Sequence, residues 1–365
     1  MQATKKEHMI CGLFAVFLAA AFGLFIFWPQ PEYFMDERRL PAKFPEVSAE
    51  SLLSGRFMGG FEKYATDAVP FRINFRRLKA VSALYLFHRQ DNHGIYLQDG
   101  YTAKMEYPLN QANFLRAAER FRYVYDKYLN ENNQVFLSLI PDKNYFLAKS
   151  SGHLWMDYSW IEETMSRKVD FAEYIGIFDL LKIEDYYQTD THWRQEKIKP
   201  VAERIAQKTG VILPEDYQPK MANPEFYGVY YGQSGLPLPP ESLQYLMNQE
   251  IQMAQVFDLQ NGKEIPVYDE TLALGRDGYE MFLSGPLSLI KIENPAAPKD
   301  KKMVIFRDSF GSALAPLLIP GYSQIYLADI RYLHPDRLGK YIDFENSDIL
   351  FLYSTLVLNH SETLK

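Results

Sequence analysis

The sequence has almost no cysteine. Cys11 is the only one in 365 residues, and it falls inside an N-terminal apolar run. No disulfide can form within the folded part, so cysteine usage says nothing about compartment. The metal-ligand spacings H-x-x-x-H and C-x-x-C are missing, as are G-x-G-x-x-G and a phosphate loop, so no cofactor is expected and nucleotide use has no support. Basic residues are in deficit, with Lys and Arg at 39 against Asp and Glu at 46, a net charge of −7. Without a large basic face the chain cannot neutralise a run of phosphates, which argues against nucleic acid as a partner. Disorder is also disfavoured, since 47% of residues are hydrophobic and 23% charged.

Aromatic residues are abundant, with 26 Tyr and 25 Phe. Such rings suit sugars and other amphipathic ligands, and they equally fill cores. One long apolar run is present. Lys5 and Lys6 precede Met9 to Trp28, which carries no charge and at 1.5 Å per residue is long enough for a hydrocarbon core of roughly 30 Å. A cleaved signal peptide and an uncleaved signal anchor compete for it. The run exceeds the usual h-region, ends in Phe27-Trp28 and meets Pro29 without an A-x-A site, which favours the anchor. Lys5 and Lys6 set against Arg38 and Arg39 give a moderate positive-inside signal. The expectation is a transmembrane helix within 1–28, a cytoplasmic N-terminus and an extracytoplasmic remainder.

Residues 29–60, with four prolines, read as an extended arm, and 61–365 as one domain. Apolar residues recur at helical spacing from Phe57 to Arg89 with a break at Ala68-Val69-Pro70, and Asp99-Gly100 marks a hairpin. Phe114, Ala117, Ala118, Phe121, Val124 and Tyr125 form the stripe of an amphipathic helix, followed by a strand from Gln134 to Ile140. A helix from Tyr158, a strand over Tyr174–Leu181 and a helix over Trp193–Thr209 closed by Gly210 come next. Residues 211–298 read as an irregular β-rich insertion in which Tyr227–Gly235 is a strand opening into a loop. Three buried-strand patterns then follow: Met303–Phe306, Gln324–Leu327 and Asp348–Tyr353. The sum is an α/β fold with a largely parallel sheet, its functional residues at the carboxyl ends of strands.

Two segments carry chemistry. Tyr186-Tyr187-Gln188-Thr189-Asp190-Thr191-His192-Trp193 sets an acid two residues before a histidine, so Asp190 can hold the imidazole Nδ1–H and leave Nε2 as a general base. The same Asp190 would also serve as a helix cap, with His192 merely packed. Ser309, in Phe306-Arg307-Asp308-Ser309-Phe310-Gly311, follows a strand and precedes a helix, where its hydroxyl would stand beside helix N-terminal amides. That position also suits an N-cap. A zinc set of His153, His192, Asp185 and Asp190 lacks motif spacing and is disfavoured. The order Asp, His, Ser is permitted for a triad. A Ser309 to His192 separation above about 5 Å would remove its main support.

The octet resembles the signature of the DHHW protein family, with Thr191 where that name has its first histidine. It also resembles the D-x-H-W motif of the alginate O-acetyltransferase (AlgJ/AlgX-like) group of SGNH-like hydrolases. Asp36-Glu37-Arg38-Arg39-Leu40, Phe61-Glu62-x-Tyr64, Pro70-Phe71-Arg72, Pro141-x-Lys143, Tyr231-Gly232-Gln233-Ser234-Gly235, Arg307-Asp308-Ser309-Phe310 and Asp329-Ile330-Arg331-Tyr332 extend the likeness in order along the chain. It implies a flavodoxin-like three-layer SGNH core with Ser309 as nucleophile and Asp190 and His192 as the acid–base pair. Lys143, Tyr231, Ser234 and Arg307 become candidates for lining the site. Arg307 stands where the usual G-D-S block has glycine. Two functions are carried forward. One is an extracytoplasmic serine acyl-transfer enzyme acting on a glycan, with a polytopic membrane protein as possible acyl donor. The other is a non-catalytic envelope protein that binds or assembles a surface polysaccharide.

Overall fold

A computed structural model describes residues 5–365, which fall into two compact units: the chain to Arg89 together with Gly235–Pro237, and Gln90–Ser234 with Leu238–Lys365. The first holds the helix Lys5–Phe27, the only one among the described residues long and apolar enough to cross a membrane, exposed along its length. The expected arm contains a short helix, Ala49–Leu53, and leads into Arg56–Ala68 and Arg72–Val81, the latter running on through a π turn over Ser82–Leu86. The break at Val69-Pro70 falls between the two longer helices, as the sequence predicts. The Asp36–Arg39 motif forms an ion network. Glu37 takes Arg39 and Arg76 at 2.8 Å and also Arg72, while Asp67 takes the Arg39 guanidinium and the Ala42 amide.

The second unit opens with a hairpin of β1 (Ile95–Gln98) and β2 (Tyr101–Lys104). Asp99 and Gly100 both take positive φ, which a tight hairpin turn requires. The main sheet contains β3 (Val135–Ile140), β4 (Glu173–Tyr174), β7 (Gln255–Asp258), β8 (Lys263–Ile265), β9 (Leu289–Glu293), β10 (Lys302–Arg307), β11 (Gln324–Ala328) and β12 (Ser347–Ser354). Their order is β4-β3-β12-β10-β11-β9-β7-β8. A separate ribbon pairs β5 (Gln218–Phe226) with β6 (Glu241–Met247). The first five strands of the sheet are mutually parallel and the last three antiparallel. The sheet is therefore mixed rather than largely parallel, because the 211–298 segment adds three antiparallel strands to its edge. Numbered among themselves, the parallel strands stand 2-1-5-3-4, whereas the flavodoxin order is 2-1-3-4-5.

Every residue of β3 and β12 is buried, so both faces of the centre are covered. The helix Gln111–Tyr128 supplies part of that cover, its Phe121 ring stacked on Phe351 and Tyr353 of β12. Three sequence expectations are corrected. The strand at Tyr174–Leu181 shrinks to Glu173–Tyr174 before the chain turns into a 3-10 helix at Phe178–Leu180. The helix expected from Trp193 starts at Lys199, where Pro200 fits the first turn and would break a later one; it does end at Gly210, which takes φ 73°. Tyr227–Gly235 holds a short helix, Val229–Ser234, not a strand.

Candidate active site

Ser309 stands where β10 ends and the helix Ser309–Leu318 begins. Asp308 is the N-cap. Its Oδ1 accepts the Phe310 amide at 3.0 Å, and its Oδ2 accepts the amide and hydroxyl of Ser354 at 2.8 and 2.7 Å. Ser354 ends β12, the neighbouring parallel strand, so one carboxylate ties two strand ends together and sets the turn that presents Ser309. The N-cap reading thus belongs to Asp308, and the Ser309 hydroxyl is left for another partner.

That partner is His192, whose Nε2 lies 2.7 Å from Ser309 Oγ. On the other side of the ring, Nδ1 lies 2.6 Å from Asp190 Oδ1, which also accepts the His192 amide at 3.0 Å. Asp190 is 1% exposed and the His192 side chain 12%. The imidazole is held in plane by rings, with Tyr279 stacked at 3.8 Å and 6° and Phe310 tilted at 4.8 Å. Trp193 donates its indole N–H to the Phe310 carbonyl at 3.2 Å, which joins the histidine loop directly to the serine turn. The structure therefore brings Asp190, His192 and Ser309 into one hydrogen-bonded line.

The octet itself is a closed loop, with Tyr186 bridging Trp193. Its backbone polar groups would be costly if left unpaired at this depth, and several are answered from other parts of the chain. Glu241, at the start of β6, accepts the Gln188 amide at 2.6 Å, the Thr189 amide at 2.8 Å and the Thr189 hydroxyl at 2.9 Å. Thr102 of β2 donates its amide and hydroxyl to the Gln188 carbonyl. Val229 donates its amide to Asp190 Oδ2 at 2.8 Å, and Tyr230 donates its amide to the Thr189 carbonyl at 2.9 Å. Gly228 makes this approach possible: a Cβ there would lie 2.3 Å from both the Thr189 carbonyl oxygen and the Asp190 Cβ.

The four lining candidates are all buried. Lys143 donates from Nζ to the Tyr187 and Gln188 carbonyls at 2.8 and 3.1 Å, and burial pushes its ammonium down to about 7. Its contacts are to the loop that carries Asp190 and His192. Arg307 is fully buried; it donates to the Leu287 carbonyl at 3.0 Å, its stem fills the space beside Gly311, and burial lowers its pKa. Tyr231 donates its amide to the Thr189 and Gly228 carbonyls, and its ring packs on Tyr227. Ser234 donates its hydroxyl to the Tyr231 carbonyl. The zinc candidates are dispersed. His153 bonds Ser151 and the Gln90 carbonyl, and Asp185 accepts the Lys182 amide. Glu241, Gly228, Thr102 and Tyr279 escape sequence reading because each acts as a single residue without a repeating pattern. Gly228, between Tyr227 and Val229, is the one whose residue type gave a signal.

No family model matches the sequence, and no curated protein matches it. Solved structures do. A DHHW family protein from Eubacterium siraeum shares 19% identity over 75% of this chain and 95% of its own, with a TM-score of 0.60. Bacillus cereus PatB1, also solved with a sulfonyl adduct, shares 18% over 72% of this chain and 96% of its own, with a TM-score of 0.55. The O-acetyltransferase domain of Pseudomonas putida AlgJ overlaps more loosely, at 11% identity over 73% of this chain and 92% of its own, with a TM-score of 0.44. The chain has the fold of the DHHW family protein and of PatB1.

Proposed function

We propose that the chain is a membrane-anchored serine acyl-transfer enzyme with an SGNH-hydrolase-like domain outside the cytoplasm. Its reaction would be O-acetyl transfer to, or ester cleavage on, an envelope or exported polysaccharide. The observation that carries the reading is the line Asp190–His192–Ser309 at 2.6 and 2.7 Å. His192 Nε2 takes the hydroxyl proton as Ser309 Oγ bonds to the acyl carbon, then returns it to the departing oxygen as the original ester bond breaks. A second hydroxyl, from a glycan or from water, repeats these steps in reverse and carries the acyl group away. Asp190 holds the tautomer with Nδ1 protonated and stabilises the imidazolium between the two transfers.

The Phe310 amide is taken by Asp308 Oδ1 and the Gly311 amide by the Asp308 carbonyl. At the first helical position, where no intrahelical acceptor exists, the Ser309 amide is our candidate for the first oxyanion donor. Helix Lys5–Phe27 is the proposed anchor, and a polytopic membrane protein the proposed acyl source. The resemblance of the motifs to acetyltransferases supports the transferase over a general esterase.

The test uses a sulfonyl fluoride and a fluorophosphonate on the full chain in detergent. Wild type is expected to form a stoichiometric adduct, Ser309→Ala none, and His192→Ala one formed roughly 10²–10⁴-fold more slowly. Equal labelling of all three proteins would overturn the assignment.

A further inference from the structure

We propose that Phe71–Phe87 is a second membrane contact, an interfacial helix lying on an anionic lipid surface beside the spanning helix. The proposal rests on the reading that Lys5–Phe27 crosses the bilayer. Phe75 and Leu78, three residues apart, share one face of the helix Arg72–Val81, with Phe71 at its N-cap and Tyr85 and Leu86 on the π turn that continues it. That face is open: Phe75 is 58% exposed, Leu78 63% and Leu86 68%, while Ala80 and Ala83 on the opposite side are buried. A contiguous apolar patch of this kind marks an interaction surface.

Charge and position identify the occupant. From Phe71 to Arg89 the chain carries Arg72, Arg76, Arg77, Lys79 and Arg89 and no Asp or Glu, although the whole chain is net negative. Acids from outside the segment answer part of this charge, with Glu37 on Arg72 and Arg76 and Asp36 3.6 Å from Arg77. A large apolar face flanked by Lys and Arg is the composition of helices that lie in the headgroup region. The stripe also begins at the right depth. A helix of 23 residues is about 34 Å long, which brings Trp28 to the bilayer interface, where tryptophan is favoured. The Trp28 ring lies 4.5 Å from that of Phe71, the first residue of the stripe. A cleft of about 420 Å³ opens at this junction, lined by Trp28, Pro31, Phe34, Val69, Phe71 and Arg72. The Trp28–Phe71 ring pair thus joins the end of the spanning helix to the start of the open face.

The experiment places the full chain in nanodiscs containing phosphatidylglycerol, with one nitroxide label per protein. The label sits on native Cys11 or, in a Cys11→Ser background, at F75C, L78C, L86C or K63C. Collision with oxygen is expected to exceed collision with an aqueous nickel chelate at Cys11 and the three stripe positions, and the ratio to reverse at Lys63, an exposed residue of the neighbouring helix. Replacing phosphatidylglycerol with phosphatidylcholine is expected to lower the ratio at the stripe and leave it unchanged at Cys11. A lipid-embedded Cys11 with an aqueous stripe would overturn this inference and leave the anchor standing. An aqueous Cys11 would overturn both. A stripe shielded from oxygen and nickel alike would mean protein against that face, a second copy or a partner, and would equally overturn the lipid assignment.

Discussion

The two halves of the candidate site are built by different means. The serine side is made by the parallel sheet: β10 delivers Ser309, and Asp308 ties its turn to the end of the adjacent strand β12. The histidine side lies outside the sheet and depends on the 211–298 segment. Gly228 and Val229 press on Asp190, Glu241 takes three hydrogen bonds from Gln188 and Thr189, and Tyr279 stacks on the imidazole. Each side is braced by a buried carboxylate that accepts three hydrogen bonds without itself touching the imidazole, Asp308 on one and Glu241 on the other. Removing Asp308 would leave the strand ladders in place, whereas removing Glu241 would release a loop with no ladder of its own. What reads in the sequence as an insertion is therefore the scaffold of the His192 loop.

The sharpest way to break this comparison is Gly228→Ala. The added methyl meets backbone on one side and the Asp190 side chain on the other, neither of which can yield without moving the loop. We expect a stability loss of about 1–3 kcal/mol from overpacking and roughly 10²-fold slower adduct formation with a fluorophosphonate from a misplaced base. Wild-type labelling rates in G228A would show that Asp190 does not need this support.

A smaller effect tests the two carboxylates against each other. Glu241→Gln keeps one acceptor oxygen and turns an NH₂ towards loop N–H groups, at a cost of about 1–3 kcal/mol, with labelling slowed about tenfold. Asp308→Asn makes the same chemical change where the β10–β12 ladder persists, so its melting temperature is expected to fall while labelling slows less than in E241Q. Equal slowing in the two variants would erase the distinction between the halves.

That distinction also explains what was legible. The serine turn could be read because strand, cap and helix are consecutive: an apolar run, then Asp308, then small residues. Asp190 and His192 could be read because they are two positions apart. The three parallel strands after 300 were visible as buried runs. The clamp was hidden, because Glu241 and Gly228 meet the loop through folding across 52 and 39 residues, and neither lies in a periodic pattern. The antiparallel strands β7, β8 and β9 were hidden for a related reason: they are three to five residues long, and only the pairing of β9 on β11, with β7 and β8 added in turn, makes them part of the sheet.

The mildest variant, Lys143→Met, probes a support that the histidine side shares with its neighbours. Loss of the ammonium leaves the Gln188 carbonyl still bonded to the Thr102 amide and hydroxyl, so the Tyr187 carbonyl is the group that loses its Lys143 donor. Labelling should slow only severalfold. The stronger readout is pH. Burial pushes the Lys143 ammonium from its ordinary 10.5 down to about 7. Between those values the unfolded chain holds a proton that the folded chain does not, so this group makes stability rise with pH across the window and contributes no slope below it. The urea midpoint of wild type relative to K143M is therefore expected to climb from pH 7 towards pH 10 and to be flat below pH 7. A constant difference across that range would mean that the ammonium keeps its ordinary affinity for the proton. The loop would then be gripped by a full charge rather than by an amine that titrates near neutrality. Either form donates to the Tyr187 carbonyl, so neutralisation alone should leave the Asp190–His192 geometry, and with it the labelling rate, nearly unchanged.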